Sequence, residues 1–287
     1  MEIVVTLEQL REALSSWRSE KKTIALVPTM GALHAGHLAL VEEASRRADR
    51  VVVSIFVNPL QFGPNEDFSQ YPRTLSLDQA QLKRHGLTSV LFAPTVSVMY
   101  PSGASRTTVV VGRMSEVLCG RARPTHFVGV TTVVTKLFHM VQPDFAVFGQ
   151  KDAQQLAIIR QMVLDLNFAV TVVGVPTVRE PSGLALSSRN RYLSIEDKHR
   201  ASYLFRGLLA AKSLFDAGER NPQVLVAQVI DTLHQVDLTP EYVECVDREL
   251  LDPVDGLVSR PVTLALACPV GAARLIDNIT LDPGHHE

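Results

Sequence analysis

Thr23-Ile24-Ala25-Leu26-Val27-Pro28 is an apolar run closed by a proline, and the helix and strand after it decide the fold. Ten residues later, Leu38 to Ala48 sets Leu38, Val41, Ala44 and Ala48 on one helical side and Glu42, Glu43, Arg46 and Arg47 on the other. Val51-Val52-Val53-Ser54-Ile55-Phe56-Val57 is then a second apolar run, closed by Asn58-Pro59. Strand, helix and strand in this order predict a βαβ unit, and with it a parallel, doubly wound sheet.

The alternation spreads outward from that unit. Thr6 to Ser19 has helical spacing, with Leu7, Leu10, Ala13, Leu14 and Trp17 in register. Thr74 to His85 reads as a helix stopped by Gly86, Ser89 to Ala93 as a strand ending at Pro94, and Thr107 to Val111 as a further strand. His126 to Val141 is rich in β-branched residues, yet its length and its place between strands predict a helix. Asp144 to Phe148, Ala153 to Asp165 and Val170 to Val175 continue as strand, helix and strand.

The pattern changes after Arg179-Glu180-Pro181-Ser182-Gly183. Ser194 with Asp197 opens a helix to about Phe215, and Asn221-Pro222 opens another to about Gln235. Glu241 to Val246, Val262 to Ala267 and Arg274 to Asp277 follow as strands without helices between them. The expected fold class is α/β: a Rossmann-like doubly wound parallel sheet over residues 1–177, then a smaller α+β domain over 178–287. Gly284-His285-His286-Glu287 is expected to be a frayed tail.

Composition narrows the class of function. Among 287 residues, 46% are hydrophobic and 20% charged, enough for a large core. A formal net charge of −2 offers no pull toward nucleic acid or an anionic membrane. The three cysteines, Cys119, Cys245 and Cys268, form no CxxC pair, as suits unpaired thiols in a reducing compartment. Met1 to Lys22 lacks the basic start and apolar stretch of a secretory signal, and no apolar run is long enough to span a bilayer. The expectation is a soluble, cytoplasmic protein.

Ligands of an open parallel sheet bind outside the carboxyl ends of its strands, and four sequence features fall there. His34-Ala35-Gly36-His37 stands where a helix starts, with Gly31 and Gly36 allowing close backbone approach. Unpaired N–H groups and the helix dipole favour an anion at such a place, and imidazoles add donors. Taken alone, the pair is open between phosphate binding and two ordinary histidines; zinc is the weaker rival, because spacing supplies no third ligand. Neither a Walker lysine motif nor GxGxxG follows any strand. Gly149-Gln150-Lys151-Asp152 can hold a ribose or a phosphate, or be a solvated turn. Leu186-Ser187-Ser188-Arg189-Asn190-Arg191 suits phosphate, or a polar linker. Asn58-Pro59-Leu60-Gln61-Phe62-Gly63 offers amides to a neutral or carboxylated substrate, or is a loop.

Together these motifs are more specific than any one of them. HxGH, a lysine turn and a Ser-Ser-Arg loop, in that order, resemble the HIGH…KMSKS arrangement of the nucleotidyltransferase superfamily. Within it the chain resembles the pantothenate synthetase (pantoate–β-alanine ligase) family. The resemblance is carried by Pro28 to Leu38, Val53 to Gly63, Tyr71-Pro72-Arg73-Thr74, Arg123 to Val130, Gln142-Pro143-Asp144, Phe148 to Leu156 and Arg179 to Leu193. It implies ATP-dependent condensation of (R)-pantoate with β-alanine through a pantoyl adenylate, releasing AMP and diphosphate. It implies an ATP site of Met30, Gly31, Ala32, Leu33, His34, Ala35, Gly36 and His37, then Gly149, Gln150, Lys151 and Asp152, then Val178, Leu186, Ser187, Ser188 and Arg189.

Catalytic weight would rest on His37, His34, Lys151 and Arg189, and pantoate on Gln61 and Gln155, with Asn58 and His126 close by. Gln150 stands where relatives often have glutamate, and Leu186 where they may have methionine. Some relatives carry consecutive acids near a metal after the Tyr-Pro-Arg-Thr motif. Here Leu77 precedes Asp78, which weakens Asp78 as a magnesium ligand. A homodimer is implied, with Thr107 to Val111 as a candidate contact, and the C-terminal domain is expected to close over the active site. The rival readings are a nucleotidyltransferase that releases only diphosphate and a non-catalytic nucleotide-binding regulator. A tRNA synthetase is disfavoured by the short C-terminal unit and the lack of a basic anticodon-binding stretch.

Overall fold

Apolar runs without polar alternation need cover on both faces, and a parallel sheet flanked by helices supplies it. In the computed structural model, which describes all residues except Asn65, Asp67, Ala104 and 285–287, six strands form one such sheet. They are β1 (Glu2–Val4), β2 (Ile24–Thr29), β3 (Arg50–Ile55), β4 (Val90–Phe92), β5 (Phe145–Gly149) and β6 (Thr171–Val175). The order is β1-β4-β3-β2-β5-β6 and every neighbouring pair is parallel. The helices are α1 (Leu7–Ser19), α2 (Ala35–Arg47), α3 (Leu75–His85), the short α4 (Val96–Met99) and α5 (Cys119–Ala122), α6 (His126–Val141) and α7 (Ala153–Asp165). None is long and apolar enough to cross a membrane. The expected tail at 285–287 lies outside the described residues.

The chain winds outward from β2 through β3 and β4, then returns to lay β5 on the other side of β2. That reversal is the topological switch point, and it opens a crevice outside the carboxyl ends of β2 and β5. Val27, Val53 and Val147 are wholly buried and pack with Val41 and Ala44 of α2.

Two sequence expectations need correction, and one strand was not expected. β2 does not stop at Pro28 but runs to Thr29, with Pro28 opposite Ser54. Thr23 and Thr29 turn their carbonyls to the β3 side, whereas Ile24 turns its carbonyl to the β5 side. Alternation therefore aims Pro28 at the β5 side, where the ladder ends at Leu26 and no N–H is needed. Thr107 to Val111 is not a strand. The Val109 N–H donates to Thr132 Oγ1 and its carbonyl accepts from Thr131 Oγ1, so α6 hydroxyls take the bonds a partner strand would have made. β1 has no counterpart in the sequence reading: it is three residues long, as β4 is, but opens on Glu2 and buries only Val4, so no apolar run marks it.

The chain divides into two compact units. The second comprises Val117–Cys119, Lys151–Ala157 and Thr177–Glu287; the first holds the rest. In the second, α8 (Ile195–Asp216) and α9 (Pro222–His234) precede an antiparallel sheet β7-β8-β9 of Tyr242–Asp247, Val262–Val270 and Ala273–Leu281. Leu204, Leu208, Leu225 and Val229 on the helices share a core with Leu264 and Leu266 on β8.

One contact in the first unit fixes the position of the loop after β3. α6 passes so close to the 3₁₀ turn Pro59–Gln61 that a Cβ at Gly129 would collide with the Leu60 carbonyl and the Gln61 backbone nitrogen. Alanine normally stabilises a helix interior over glycine by about 1 kcal/mol. Here the neighbour that must give way is main chain, so overpacking of about 1–3 kcal/mol or more opposes that gain. Gly129→Ala should therefore lower Tm by several degrees; a Tm at or above that of the parent would refute the close approach.

Candidate active site

β2 ends, the chain turns, and a helix restarts within six residues. The turn puts Gly31 at φ +84° and Ala32 at φ +51°, both in the left-handed region. For glycine this is free. For alanine it costs about 1–2 kcal/mol. Gly31 is also required by space, because a Cβ there would lie 3.1 Å from both Asp78 Oδ2 and Ile55 Cγ2. What holds Ala32 is Asp78, which is only 2% exposed. Its carboxylate accepts from the Ala32 N–H at 3.0 Å, the Leu33 N–H at 2.9 Å and the Thr74 hydroxyl at 3.2 Å. Hydrogen bonds to a charged acceptor are worth about 1.5–3 kcal/mol each, so two of them outweigh the strain. Asp78, read from sequence as a weak candidate for magnesium, thus has both oxygens engaged by the loop.

The helix that restarts is capped by histidines. His34 is the N-cap of α2, with φ −140° and ψ 176°; its Nδ1 accepts from the Gly36 N–H at 3.1 Å. His37 reaches back, its Nδ1 accepting from the His34 N–H at 3.3 Å. This is a capping box built from imidazoles in place of the usual hydroxyl and carboxamide. A backbone N–H can only donate, so Nδ1 of each ring is bare and each neutral ring carries its proton on Nε2. Both rings therefore offer Nε2–H donors without being protonated. Their centroids are 4.1 Å apart and the planes tilt by 38°. Met30, His34 and His37 are half-buried, and Ala35 is exposed.

A second group lies at the end of β3. Asn58 is 1% exposed and Gln61 7%. The Asn58 amide donates to the Gly129 carbonyl at 3.0 Å and to Gln61 Oε1 at 3.2 Å. Its oxygen accepts from the Leu60 N–H at 3.3 Å and from the Tyr100 hydroxyl at 2.8 Å. The Gln61 amide nitrogen then lies 3.0 Å from Met30 Sδ. His126 Nδ1 is 2.9 Å from the Gln61 carbonyl, which can only accept, so the His126 proton sits on Nδ1 and Nε2 is an acceptor when neutral. Arg123 bonds the same carbonyl and pairs with Glu66. Burial raises the Glu66 pKa, but the Arg123 hydrogen bond and charge outweigh it and the net shift is downward.

The second unit carries the remaining sequence candidates. Lys151 and Gln155 are half-buried and Asp152 exposed. The Lys151 carbonyl accepts from Asn278 Nδ2 on β9 at 2.8 Å, which fixes its main chain. Gln154, beside Gln155, is bound at both ends, accepting from the Cys119 N–H and donating to the Val117 carbonyl. Val178 and Leu186 are joined through Leu186 N–H to Val178 O at 3.0 Å. Ser187 caps the 3₁₀ turn Ser188–Tyr192 by accepting from the Arg189 N–H. Arg179, just before this loop, is committed to a bidentate pair with buried Asp277 and stacks 3.5 Å over Phe205. Gly149 and Gln150 belong to the first unit, at the end of β5. Among the described residues no three His, Cys, Asp or Glu side chains form a group able to hold a metal.

Sequence reasoning passes over Tyr100, Glu66 and the clamp role of Asp78. Each acts across 40 or more residues of chain, on Asn58, Arg123 and Ala32 respectively, and no local pattern announces such a contact.

Comparison with known proteins agrees along the whole chain. A family model for pantoate-beta-alanine ligase matches residues 2–280. A pantothenate synthetase of Stutzerimonas stutzeri (strain A1501) is 51% identical over 283 residues, covering 98% of each chain. The crystal structure of pantothenate synthetase from Thermus thermophilus is similar with a TM-score of 0.91 at 47% identity, covering 97% of this chain and 99% of that one. A pantoate-beta-alanine ligase from Francisella tularensis, complexed with beta-gamma ATP and beta-alanine, has a TM-score of 0.79 at 32% identity and covers 99% of this chain and 100% of its own.

The loop geometry is testable through its clamp. Asp78→Ala would leave two inward N–H groups without an acceptor, at about 1–3 kcal/mol each. Tm should fall, and amide hydrogen exchange at Ala32 and Leu33 should speed up by at least tenfold. Protection equal to the parent's at those two amides would mean the carboxylate does not hold the turn.

Proposed function

This chain belongs to the pantoate–β-alanine ligase family, and on that premise we propose that it forms pantothenate from (R)-pantoate and β-alanine through a pantoyl adenylate. The observation that carries the reading is the histidine-capped start of α2 at the switch point, where two Nε2–H donors join a helix N-terminus. In the first step the pantoate carboxylate, already ionised, attacks the α-phosphorus of ATP in line, and diphosphate leaves. Such a step needs alignment and neutralisation of spreading negative charge more than proton transfer. His34 and His37 supply neutral donors, and Lys151 and Arg189 are the cations this reading assigns to the phosphates.

Magnesium enters as MgATP, part of the substrate, which suits a chain whose described residues build no carboxylate cage. In the second step the β-alanine amine attacks the adenylate carbonyl, forming the amide and expelling AMP. Gln61 and Gln155 are assigned to pantoate. His126, whose Nδ1 meets the Gln61 carbonyl, is assigned a place beside the substrates. The same reading has the enzyme work in the cytoplasm as a homodimer, without nucleic acid or membrane partners.

The mechanism has an isotopic signature. Pantoate labelled with oxygen-18 in its carboxylate should deliver one label to AMP, and AMP should form only with pantoate present. Diphosphate release without AMP would point to a nucleotidyltransferase, and unlabelled AMP would exclude the adenylate. His37→Ala, checked for an unchanged fold by circular dichroism, should lose roughly 10²–10³ in kcat, as for other preorganised donors. Wild-type turnover at saturating ATP would sink the role given to His37.

A further inference from the structure

The polarity of the Gln61 amide is settled by the main chain around it, and the path by which it is settled ends on a residue with no assigned role. The Gly129 carbonyl can only accept, so the Asn58 atom 3.0 Å away is its NH₂. The Leu60 N–H can only donate, so the Asn58 atom facing it is oxygen. No end-for-end flip of Asn58 satisfies both. Its NH₂ also meets Gln61, which must therefore turn its oxygen inward and keep its own NH₂ for the Met30 side. Of the two donors on Asn58 Oδ1, the Leu60 N–H is long at 3.3 Å, and the Tyr100 hydroxyl is the short one at 2.8 Å.

We infer that Tyr100 is a positioning residue for the substrate acid: through Asn58 it holds the Gln61 amide with its NH₂ toward the acid's oxygen atoms. This rests on the reading that Gln61 meets pantoate. Tyr100 is itself firmly placed. It is 4% exposed and ends α4, with its N–H on the Val96 carbonyl at 2.7 Å. Its ring lies 6.0 Å from that of Phe56 and under the Lys136 ammonium at 5.7 Å. Burial pushes the phenol up to about 12, so it stays a donor throughout the working pH range. The main chain sets the direction of Asn58, and Tyr100 reinforces it with the shorter bond from a rigid, water-poor position, without any member of the relay changing charge.

A double-mutant cycle tests it, with initial rates followed against pantoate and against ATP. Tyr100→Phe should raise KM for pantoate about fivefold, the loss of one buried hydrogen bond, while KM for ATP stays within twofold. In the Gln61→Ala background the same Tyr100→Phe change should have no further effect on pantoate KM, because the relay then has no end to position. Equal effects in both backgrounds would overturn the proposal in favour of a purely structural tyrosine. An unchanged pantoate KM in Tyr100→Phe alone would overturn it too. If Gln61→Ala itself leaves pantoate KM unchanged, the reading of Gln61 fails, and that result is distinct from a silent Tyr100.

Should Tyr100→Phe not fold, Asn58→Asp keeps the shape and both acceptor bonds but can donate neither to Gln61 nor to the Gly129 carbonyl, so its fold is checked first by circular dichroism. The Gln61 amide should then turn end for end, and pantoate KM should rise at least tenfold with ATP KM little changed. Wild-type kinetics in that variant would refute the relay.

Discussion

One buried carboxylate holds the turn on which the active-site reading depends. Between the last residue of β2 and the first turn of α2, the main chain visits the left-handed region twice in succession, once at an alanine. Asp78 reaches that turn from α3, across a gap of 46 residues, and takes two of its N–H groups. A lone buried charge is normally expensive. This one is met by three donors and sits in the first turn of its own helix, where the dipole favours a negative group. Move that anchor and the entry angle of α2 goes with it, together with both histidines. The sheet supplies the crevice; Asp78 decides what faces it.

From that turn outward, hydrogen-bond polarity is dictated by main-chain atoms whose roles cannot change. His34 and His37 have bare Nδ1 atoms because backbone N–H groups point at them, and His126 has the opposite tautomer because a backbone carbonyl does. Asn58 is fixed between a carbonyl and an N–H, and Gln61 inherits its direction. The second unit uses the same device. Asn190 donates to the Ala185 carbonyl, and Asn278 to that of Lys151. Rings and amides that look interchangeable by composition are thereby given one direction each, which is what recognition of a small polar acid demands.

Much of the fold was legible in the sequence, for a physical reason. Strands of a doubly wound sheet are apolar on both faces, so β2, β3, β5 and β6 stand out as continuous runs. α6 shows the limit of propensity: seven β-branched residues from Val128 to Thr135 sit in a helix because burial of that helix against β2, α1 and the Pro59–Gln61 turn outweighs intrinsic preference. Thr107 to Val111 shows the opposite error. The same residue types there suggest a strand, but two threonine hydroxyls on α6 answer its backbone instead. For the site, local order was enough to single out His34, His37, Lys151 and the Ser187-Ser188-Arg189 loop as candidates. The long-range contacts were not legible: Asp78 clamps the Ala32–Leu33 turn, and Tyr100 and Gly129 act on Asn58 and the Pro59–Gln61 turn, each from far along the chain.

The distribution of charge fits a reaction that lacks a protein nucleophile. At the start of α2 the helix dipole already contributes positive potential, and two rings at 4.1 Å would repel each other if both were imidazolium. Protonation at Nδ1 would also break the capping bonds that place them. The arrangement therefore favours neutral imidazoles that donate through Nε2–H. Formal positive charge is left to side chains such as Lys151, whose main chain is pinned by Asn278 while, among the described residues, its ammonium has no carboxylate partner. The proposed function gives such a lysine its use: a pinned main chain carrying an ammonium that would meet negative charge only when the nucleotide arrives. Under the proposed reaction, donors fixed in direction would serve alignment and a cation fixed only at its root would serve neutralisation, the two demands that adenylate formation makes.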